Sequence, residues 1–112
     1  MMNLELQSLI SGSPSFTFEQ VKAYIDVHYH FKATAFNNGE LRNAIGQNEG
    51  SCKIFAFAQL QQLTDAQTLA CFGEIYKKVL ENPIASDHGN VRQFMLTGHA
   101  GISFDEFPLL AK

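Results

Sequence analysis

The chain has no tryptophan, only two cysteines and only three prolines among its 112 residues. Two cysteines are too few for a disulfide scaffold, and both Cys52 and Cys71 lie in apolar surroundings typical of reduced thiols in a cytosolic protein. No apolar run approaches the ~18 residues of a membrane-spanning helix. The first ten residues also lack the basic region and cleavage pattern of a secretory signal peptide. We therefore expect a cytoplasmic protein with no membrane partner, and the sequence leaves delivery by a specialised secretion system open.

Positive charge is also scarce. Eight Lys and Arg residues are scattered among eleven Asp and Glu residues, which gives a net charge of −3 and no basic patch for a nucleic-acid backbone. Hydrophobic residues make up 46% and charged residues 17% of the chain, a composition that supports a packed core. We expect one domain over residues 1–112, with 1–15 as a loosely ordered N-terminal segment that includes a short helix at 3–10. Nothing indicates a cofactor or an oligomeric state.

Local signals predict mainly helices. Thr17 with Gln20 matches a capping box, in which each side chain bonds the other residue's backbone N–H, and apolar residues at helical spacing follow it. A second capping box, Thr64 with Gln67, opens a long helix that Asn82-Pro83 ends. Further helices are predicted over residues 51–62 and from a cap at Asp87 to a stop at Gly98, followed by an irregular apolar tail. Inward positions of the last helix are Val91, Phe94 and Met95.

The Asn37-Asn38-Gly39 sequence is a tight-turn signal between β-compatible segments. It predicts a small β-hairpin near residues 31–45, which must pack on the helices because an isolated hairpin is only marginally stable. The fold class is therefore α+β and mainly helical, with about four helices around one core. The core is expected to be built from phenylalanines: Phe55, Phe57, Phe72, Phe94, Phe104 and Phe107.

Five segments occur in an order that resembles the HopJ type III effector family: "FNNG", "GQNEGSCKIFAFAQL", "TLACFGE", "DHGNVRQF" and "GISF". The resemblance covers roughly residues 15–110. It implies a bacterial family that is named for a plant-pathogen effector but is also widespread in bacteria that need no effector. It implies no established reaction, cofactor or catalytic residue. The chain has Gly98-His99 where the family pattern has Gly-Trp, which argues against any mechanism that requires His99.

The loop before the predicted 51–62 helix is the first candidate site. Its glycines and lysine are in the wrong order for a Walker A phosphate loop. The free N–H groups of the helix start could still bind an anion. Alternatively, Ser51 caps the helix and its polar neighbours only tie down the loop. The candidate binding residues are Gly46, Gln47, Asn48, Glu49, Gly50, Ser51 and Lys53.

Cys52 is the second candidate. A thiol in the first turn of a helix feels the positive end of the helix dipole, which lowers its pKa and favours the nucleophilic thiolate. His88 would then be the base, and Asn48 would help to form an oxyanion hole. The alternative is that Cys52 is a small buried hydrophobic residue, as free cysteines often are.

His28 and His30 form a His-x-His pair and are weak metal candidates. On a strand both side chains would point to one face, whereas on a helix they would diverge. No third ligand lies at a convincing spacing, and a structural site normally needs four.

The sequence contains no complete catalytic set, and the tail phenylalanines Phe104 and Phe107 would form an apolar contact surface if they were exposed. The leading hypothesis is a protein-interaction module or effector-like protein with an unknown protein partner. The alternatives are a small cysteine-dependent enzyme that uses Cys52 and an anion-binding domain that uses the 46–53 loop.

Overall fold

The computed structural model describes residues 17–112. The predictions of a helix at 3–10 and a loose segment at 1–15 lie outside the described residues. The helices are α1 (Phe18–His28), α2 (Glu49–Gln61), α3 (Asp65–Ala70), α4 (Glu74–Glu81) and α5 (Gly89–Thr97), and a 3-10 turn covers Gly98–Gly101. The strands are β1 (Tyr29–Phe31), β2 (Phe36–Asn38), β3 (Leu41–Asn43), β4 (Ile102–Phe104) and β5 (Leu109–Ala111). The predicted α+β, mainly helical class is confirmed. In the described part of the chain, no helix has the length and apolar character needed to cross a membrane.

The strands form two small antiparallel sheets. The first has the order β3-β2-β4 and the second pairs β1 with β5. The predicted hairpin is present as β2 and β3, but its turn is Gly39-Glu40, and Gly39 has a φ of 56°. The prediction of an irregular tail is wrong, because residues 102–104 and 109–111 are strands. Pairing with β2 and β1 satisfies backbone groups that an irregular tail would leave without partners.

Both predicted capping boxes are present. In the first, the Thr17 hydroxyl accepts from the Gln20 N–H and the Gln20 side chain accepts from the Thr17 N–H. The second has the same arrangement at Thr64 and Gln67. The single long helix predicted after Thr64 is instead divided into α3 and α4. Gly73 lies between them with φ 57° and ψ −127°, a backbone conformation that no residue adopts inside an α-helix.

The other two helix starts differ from their predictions. The N-cap of α2 is Asn48 rather than Ser51, and the N-cap of α5 is His88 rather than Asp87. Both N-caps have left-handed backbones, and neither side chain caps its helix. Asp87 pairs with Arg92 instead, with 2.7 Å between the carboxylate and the guanidinium. This pair lowers the pKa of Asp87.

The core forms around α2, whose residues 54–58 are all fully buried. Phe55 is at its centre, and its ring centroid lies 5.0 Å from that of Phe94 and 5.5 Å from that of Phe72. These three phenylalanines and Phe57 are buried as predicted. Met95 is not inward, since 43% of it is exposed. In the tail, Phe104 is half-buried and Phe107 is exposed.

Gly98 provides a test of this fold. It has φ 59° and ψ −159°, a region that glycine alone adopts readily, and a Cβ there would lie 2.3 Å from Asp65 Oδ2. Asp65 in turn accepts a hydrogen bond from the His99 N–H. We expect Gly98→Ala to lower the free energy of unfolding in urea by about 3 kcal/mol, from backbone strain and the lost Asp65 contact.

Gly46→Ala is the matched control. Gly46 also has a positive φ, 86°, but a Cβ there would meet nothing within 4 Å. This variant should lose only about 1 kcal/mol, the cost of the left-handed backbone. Equal losses for the two variants would contradict the tight packing at Gly98.

Candidate functional site

Four asparagine side chains meet where the hairpin, the following loop and α5 come together. Asn38 lies on β2, Asn43 on β3, Asn48 at the start of α2 and Asn90 in the first turn of α5. Three of them are almost fully buried: Asn38, Asn43 and Asn90. Buried carboxamides need hydrogen-bond partners, and here they bond mainly to one another.

Asn90 is the centre of this asparagine cluster. Its Oδ1 accepts from Asn38 Nδ2 at 3.0 Å and from Asn43 Nδ2 at 3.1 Å. Its Nδ2 donates to Asn43 Oδ1 at 2.9 Å, and Asn48 Nδ2 donates to the same oxygen at 2.7 Å. The cluster therefore joins the hairpin to the starts of both α2 and α5.

Neither of these two helix starts has a side-chain cap. The Asn48 carboxamide donates to Asn43, and the left-handed backbones of Asn48 and His88 place both N-caps outside the usual capping geometry. In the described structure no acceptor bonds to four backbone N–H groups of the two first turns, those of Gly50, Ser51, Gly89 and Asn90. Each start thus keeps the partial positive charge of its free N–H groups.

A cavity of about 260 Å³ lies between the first turns of α2 and α5. One wall is polar and consists of Asn48, Gly50, Ser51, His88, Gly89 and Asn90. The other wall is mainly apolar and consists of Phe18, Lys22, Phe72, Ile75 and Val91. Lys22 and His88 are basic residues of this lining, which contains no Asp or Glu. That is notable in a chain with a net charge of −3.

Phe18 and Lys22 reach this cavity from α1. The Phe18 ring stacks on Phe72 with 5.7 Å between centroids, and Lys22 Nζ lies 4.6 Å from the Phe18 centroid. Lys22 also pairs with the exposed Glu19 at 2.9 Å. A Cβ at Gly50 would lie 2.7 Å from the Phe18 ring, so glycine is needed for this close approach.

A second, more open groove of about 440 Å³ adjoins the cavity. It shares three residues with the cavity, Asn48, Gly89 and Asn90, and it is also lined by Leu41, Arg42, Asn43 and Gln47. Arg42 makes a two-pronged contact with Asp105, at 2.9 and 2.7 Å, which lowers the pKa of Asp105.

The structure brings some of the predicted residues together and separates others. Asn48, Gly50, Ser51 and His88 line the cavity, and Gln47 lines the groove, where its side chain accepts from the Ala44 N–H. Three candidates lie elsewhere: Gly46 and Glu49 are exposed, and Lys53 pairs with Asp26 at 2.9 Å.

Cys52 does not have the environment of a nucleophile. It is 1% exposed, and burial together with the nearby Glu49 charge raises the pKa of its thiol to about 12. Cys71 is equally buried, and burial raises its pKa to about 12. The expectation that the helix start lowers the pKa of Cys52 is therefore wrong, since desolvation outweighs the dipole.

His28 and His30 do not form a shared face. His28 is the last residue of α1 and His30 lies on β1, and both are exposed. Across residues 17–112, no group of three or more His, Cys, Asp and Glu side chains could hold a metal ion.

Sequence reasoning missed the roles of Asn43, Asn90, Phe18 and Lys22. Asn43 and Asn90 are 47 positions apart, and no periodicity or motif connects them. No pattern in the sequence places His99 beside a hydroxyl either. His99 Nε2 lies 2.9 Å from the buried Thr68 hydroxyl, which donates to the Thr64 carbonyl and therefore accepts from His99.

The burial of both cysteines predicts that neither thiol reacts in the native protein. A pKa of about 12 leaves about one thiol in ten thousand ionised at pH 8. Iodoacetamide should label Cys52 and Cys71 only after urea unfolds the chain, as read by mass spectrometry. Rapid native labelling of Cys52 with an apparent pKa below ~8.5 would contradict this account and restore the enzyme hypothesis.

The asparagine cluster predicts a large cost for Asn90→Ala. The substitution leaves the buried Asn43 Nδ2 without its acceptor and removes one of the two bonds of Asn38 Nδ2. We expect the free energy of unfolding to fall by about 3 kcal/mol in urea titrations. Asn37→Ala on β2 is the control, because Asn37 accepts only a long 3.3 Å bond from Arg42 and should change stability by less than about 0.5 kcal/mol. Similar losses for both variants would show that the cluster does not stabilise the fold.

Comparisons with known proteins agree with this architecture. The chain is similar over 99% of its length to the crystal structure of a protein of unknown function, VPA0580, with 45% sequence identity, a TM-score of 0.92 and coverage of 95% of that chain. No curated protein matches the chain. The family model described as HopJ type III effector protein matches residues 3–109, nearly the whole chain. The chain therefore belongs to the HopJ type III effector protein family.

Proposed function

We propose that this chain is a binding protein and that the cavity between α2 and α5 binds the anionic group of its ligand. The observation that carries this proposal is the make-up of the lining. The lining contains Lys22, His88 and the free N–H groups of two helix starts, and none of its residues is an Asp or Glu. The carboxylates near its basic side chains, Glu19 beside Lys22 and Asp87 at 3.8 Å from His88, lie outside the lining.

The electrostatics favour an anion at the polar wall. A helix start carries roughly half a positive charge, concentrated on its free N–H groups. Two such starts, of helices with 13 and 9 residues, line the same cavity. Backbone N–H groups bind phosphate and carboxylate oxygens well because their orientation is fixed by the helix.

A binding role fits the rest of the molecule better than catalysis. The buried Cys52 lacks the exposure and the low pKa that a nucleophile needs. Among the described residues, Thr68 is a hydroxyl with an imidazole partner, but it is fully buried and its proton already bonds to the Thr64 carbonyl. The proposal thus retains the anion-binding alternative of the 46–53 loop and relocates it to the cavity.

We also propose a protein partner and a bacterial cytoplasmic origin. Membership of a family named for type III effectors supports delivery by a specialised secretion system in at least some relatives. The exposed Phe107 supports a contact with another protein, since this residue is 42% exposed and its ring lies beside that of Phe104.

Ser51 allows a direct test of anion binding. Ser51→Asp places a carboxylate at the first turn of α2, where it stabilises the helix by about 0.5 kcal/mol and also repels an anion from the cavity. When the inorganic phosphate concentration is ten times its Kd, the free energy of unfolding of the wild-type chain should rise by about 1.4 kcal/mol, which is about 5 °C in Tm. Ser51→Asp should lose this gain while remaining at least as stable without phosphate.

Ser51→Asn is the matched control, because it has nearly the same shape as aspartate and no charge. It should retain the phosphate response. Phosphate also stabilises proteins non-specifically by exclusion from their surface, so the readout is the difference between the two variants. Equal phosphate responses in Ser51→Asp and Ser51→Asn would overturn the proposal.

A further inference from the structure

We propose that the ligand is the carboxyl terminus of a partner protein. Its terminal carboxylate lies in the cavity, and its preceding residues extend through the groove along β3. This inference rests on the proposed function and deepens it, since it names the chemical class that supplies the anion.

The cavity and the groove adjoin each other and share three lining residues. Asn48, Gly89 and Asn90 line both spaces and separate the apolar wall of the cavity from β3. A chain that ends in the cavity therefore has a path past these residues onto the hairpin. The groove contains all three residues of β3, namely Leu41, Arg42 and Asn43.

β3 is an edge strand in the order β3-β2-β4, and its register shows which backbone groups are free. Ala35 and Gly39 directly precede and follow β2. The Gly39 N–H donates to the Gly101 carbonyl, and the Ala35 carbonyl accepts from the Asp105 N–H. Backbone groups alternate in direction along a strand, so the odd-numbered residues of this segment bond towards β4.

The even-numbered residues of β2 therefore bond towards β3. Phe36 is opposite Asn43 and Asn38 is opposite Leu41, so these pairs exchange the hydrogen bonds of the hairpin. Between them, the Arg42 N–H and C=O point away from β2, and within residues 17–112 neither has a hydrogen-bond partner. An extended peptide can bond both groups, as in the addition of a strand to a sheet edge.

The side chains of the groove suit a peptide backbone. Gln47 and Asn48 carry exposed carboxamides, which resemble the peptide group in donating and accepting hydrogen bonds, whereas the carboxamides of Asn43 and Asn90 are buried and bond to each other. The charge of Arg42 is matched by Asp105, so the groove has no strong preference for the charge of the peptide. Specificity is then expected at the last residue rather than along the strand.

The apolar wall of the cavity indicates which type of side chain the last residue of the peptide carries. Phe18, Phe72, Ile75 and Val91 provide a surface for an aliphatic side chain next to the carboxylate. A volume of about 260 Å³ holds roughly nine water-sized groups of about 30 Å³ each. A carboxylate with a valine, leucine or isoleucine side chain is of this size.

The test uses synthetic heptapeptides of randomised sequence that end in Val, Leu or Ile, prepared with a free carboxylate or with a C-terminal amide. Peptides with the free carboxylate should bind the full chain in fluorescence polarisation, and the amides should bind at least about tenfold more weakly, because one charge-assisted contact is lost. Equal binding of acids and amides would overturn the inference.

Two variants of one residue test the contact with β3. Arg42→Pro removes the outward N–H and is tolerable at an edge strand, whereas Arg42→Ala keeps the N–H and removes the side chain. Arg42→Pro should weaken peptide binding about fivefold to tenfold relative to Arg42→Ala. If Arg42→Pro does not fold, the same contact is read in wild type from the NMR shift of the Arg42 amide on peptide addition.

The outcomes distinguish this inference from the proposed function. If phosphate and benzoate bind in the cavity but no peptide acid does, the inference is wrong and the anion site stands. Should neither the small anions nor the peptides bind, both proposals fail. Peptide acids that bind without affecting the Arg42 amide, or equally well to both Arg42 variants, would overturn the strand-addition geometry.

Discussion

The bonds around the Asn90 carboxamide are the interaction on which the rest of the site depends. They connect β2, β3 and the starts of α2 and α5, which come from three separate parts of the chain. Because a buried carboxamide without partners costs free energy, these bonds favour this arrangement of the four elements, although Asn38 Oδ1 has no hydrogen-bond partner within residues 17–112. The cavity and the groove lie on either side of that arrangement, and both are lined by Asn48 and Asn90.

The two helix starts beside the cluster are unusual. The helices α1 and α3 are capped by reciprocal bonds, at Thr17 with Gln20 and at Thr64 with Gln67, and α4 begins at Gly73 without a side-chain cap. At α2 and α5 the chain has left-handed N-caps at Asn48 and His88 and no side-chain cap. Such residues are strained, and departures from local rules often occur at functional sites. A ligand anion would take the place that a capping side chain has at α1 and α3.

The sequence predicted those features that depend on neighbouring residues. Both capping boxes, the hairpin, the helix end at Asn82 and the stop at Gly98 follow from short local patterns. It did not predict β4 and β5, because these strands form only by pairing with distant strands. It also did not predict the break at Gly73, because the apolar stripe continues through that position. For the site, the sequence of the 46–53 loop predicted Asn48, Gly50 and Ser51 as candidate binding residues. These loop residues line one cavity with Phe18, Lys22 and Asn90, a tertiary arrangement that no spacing in the sequence predicts.

The central claim is that one anion contacts the starts of two helices at the same time. The most direct measurement is a phosphate titration followed by backbone amide NMR of the full chain. Our account predicts that the amides of Gly50, Ser51, Gly89 and Asn90 shift together, with a single Kd, and that distant amides do not. Shifts confined to exposed lysines elsewhere, or different Kd values for the α2 and α5 amides, would contradict it.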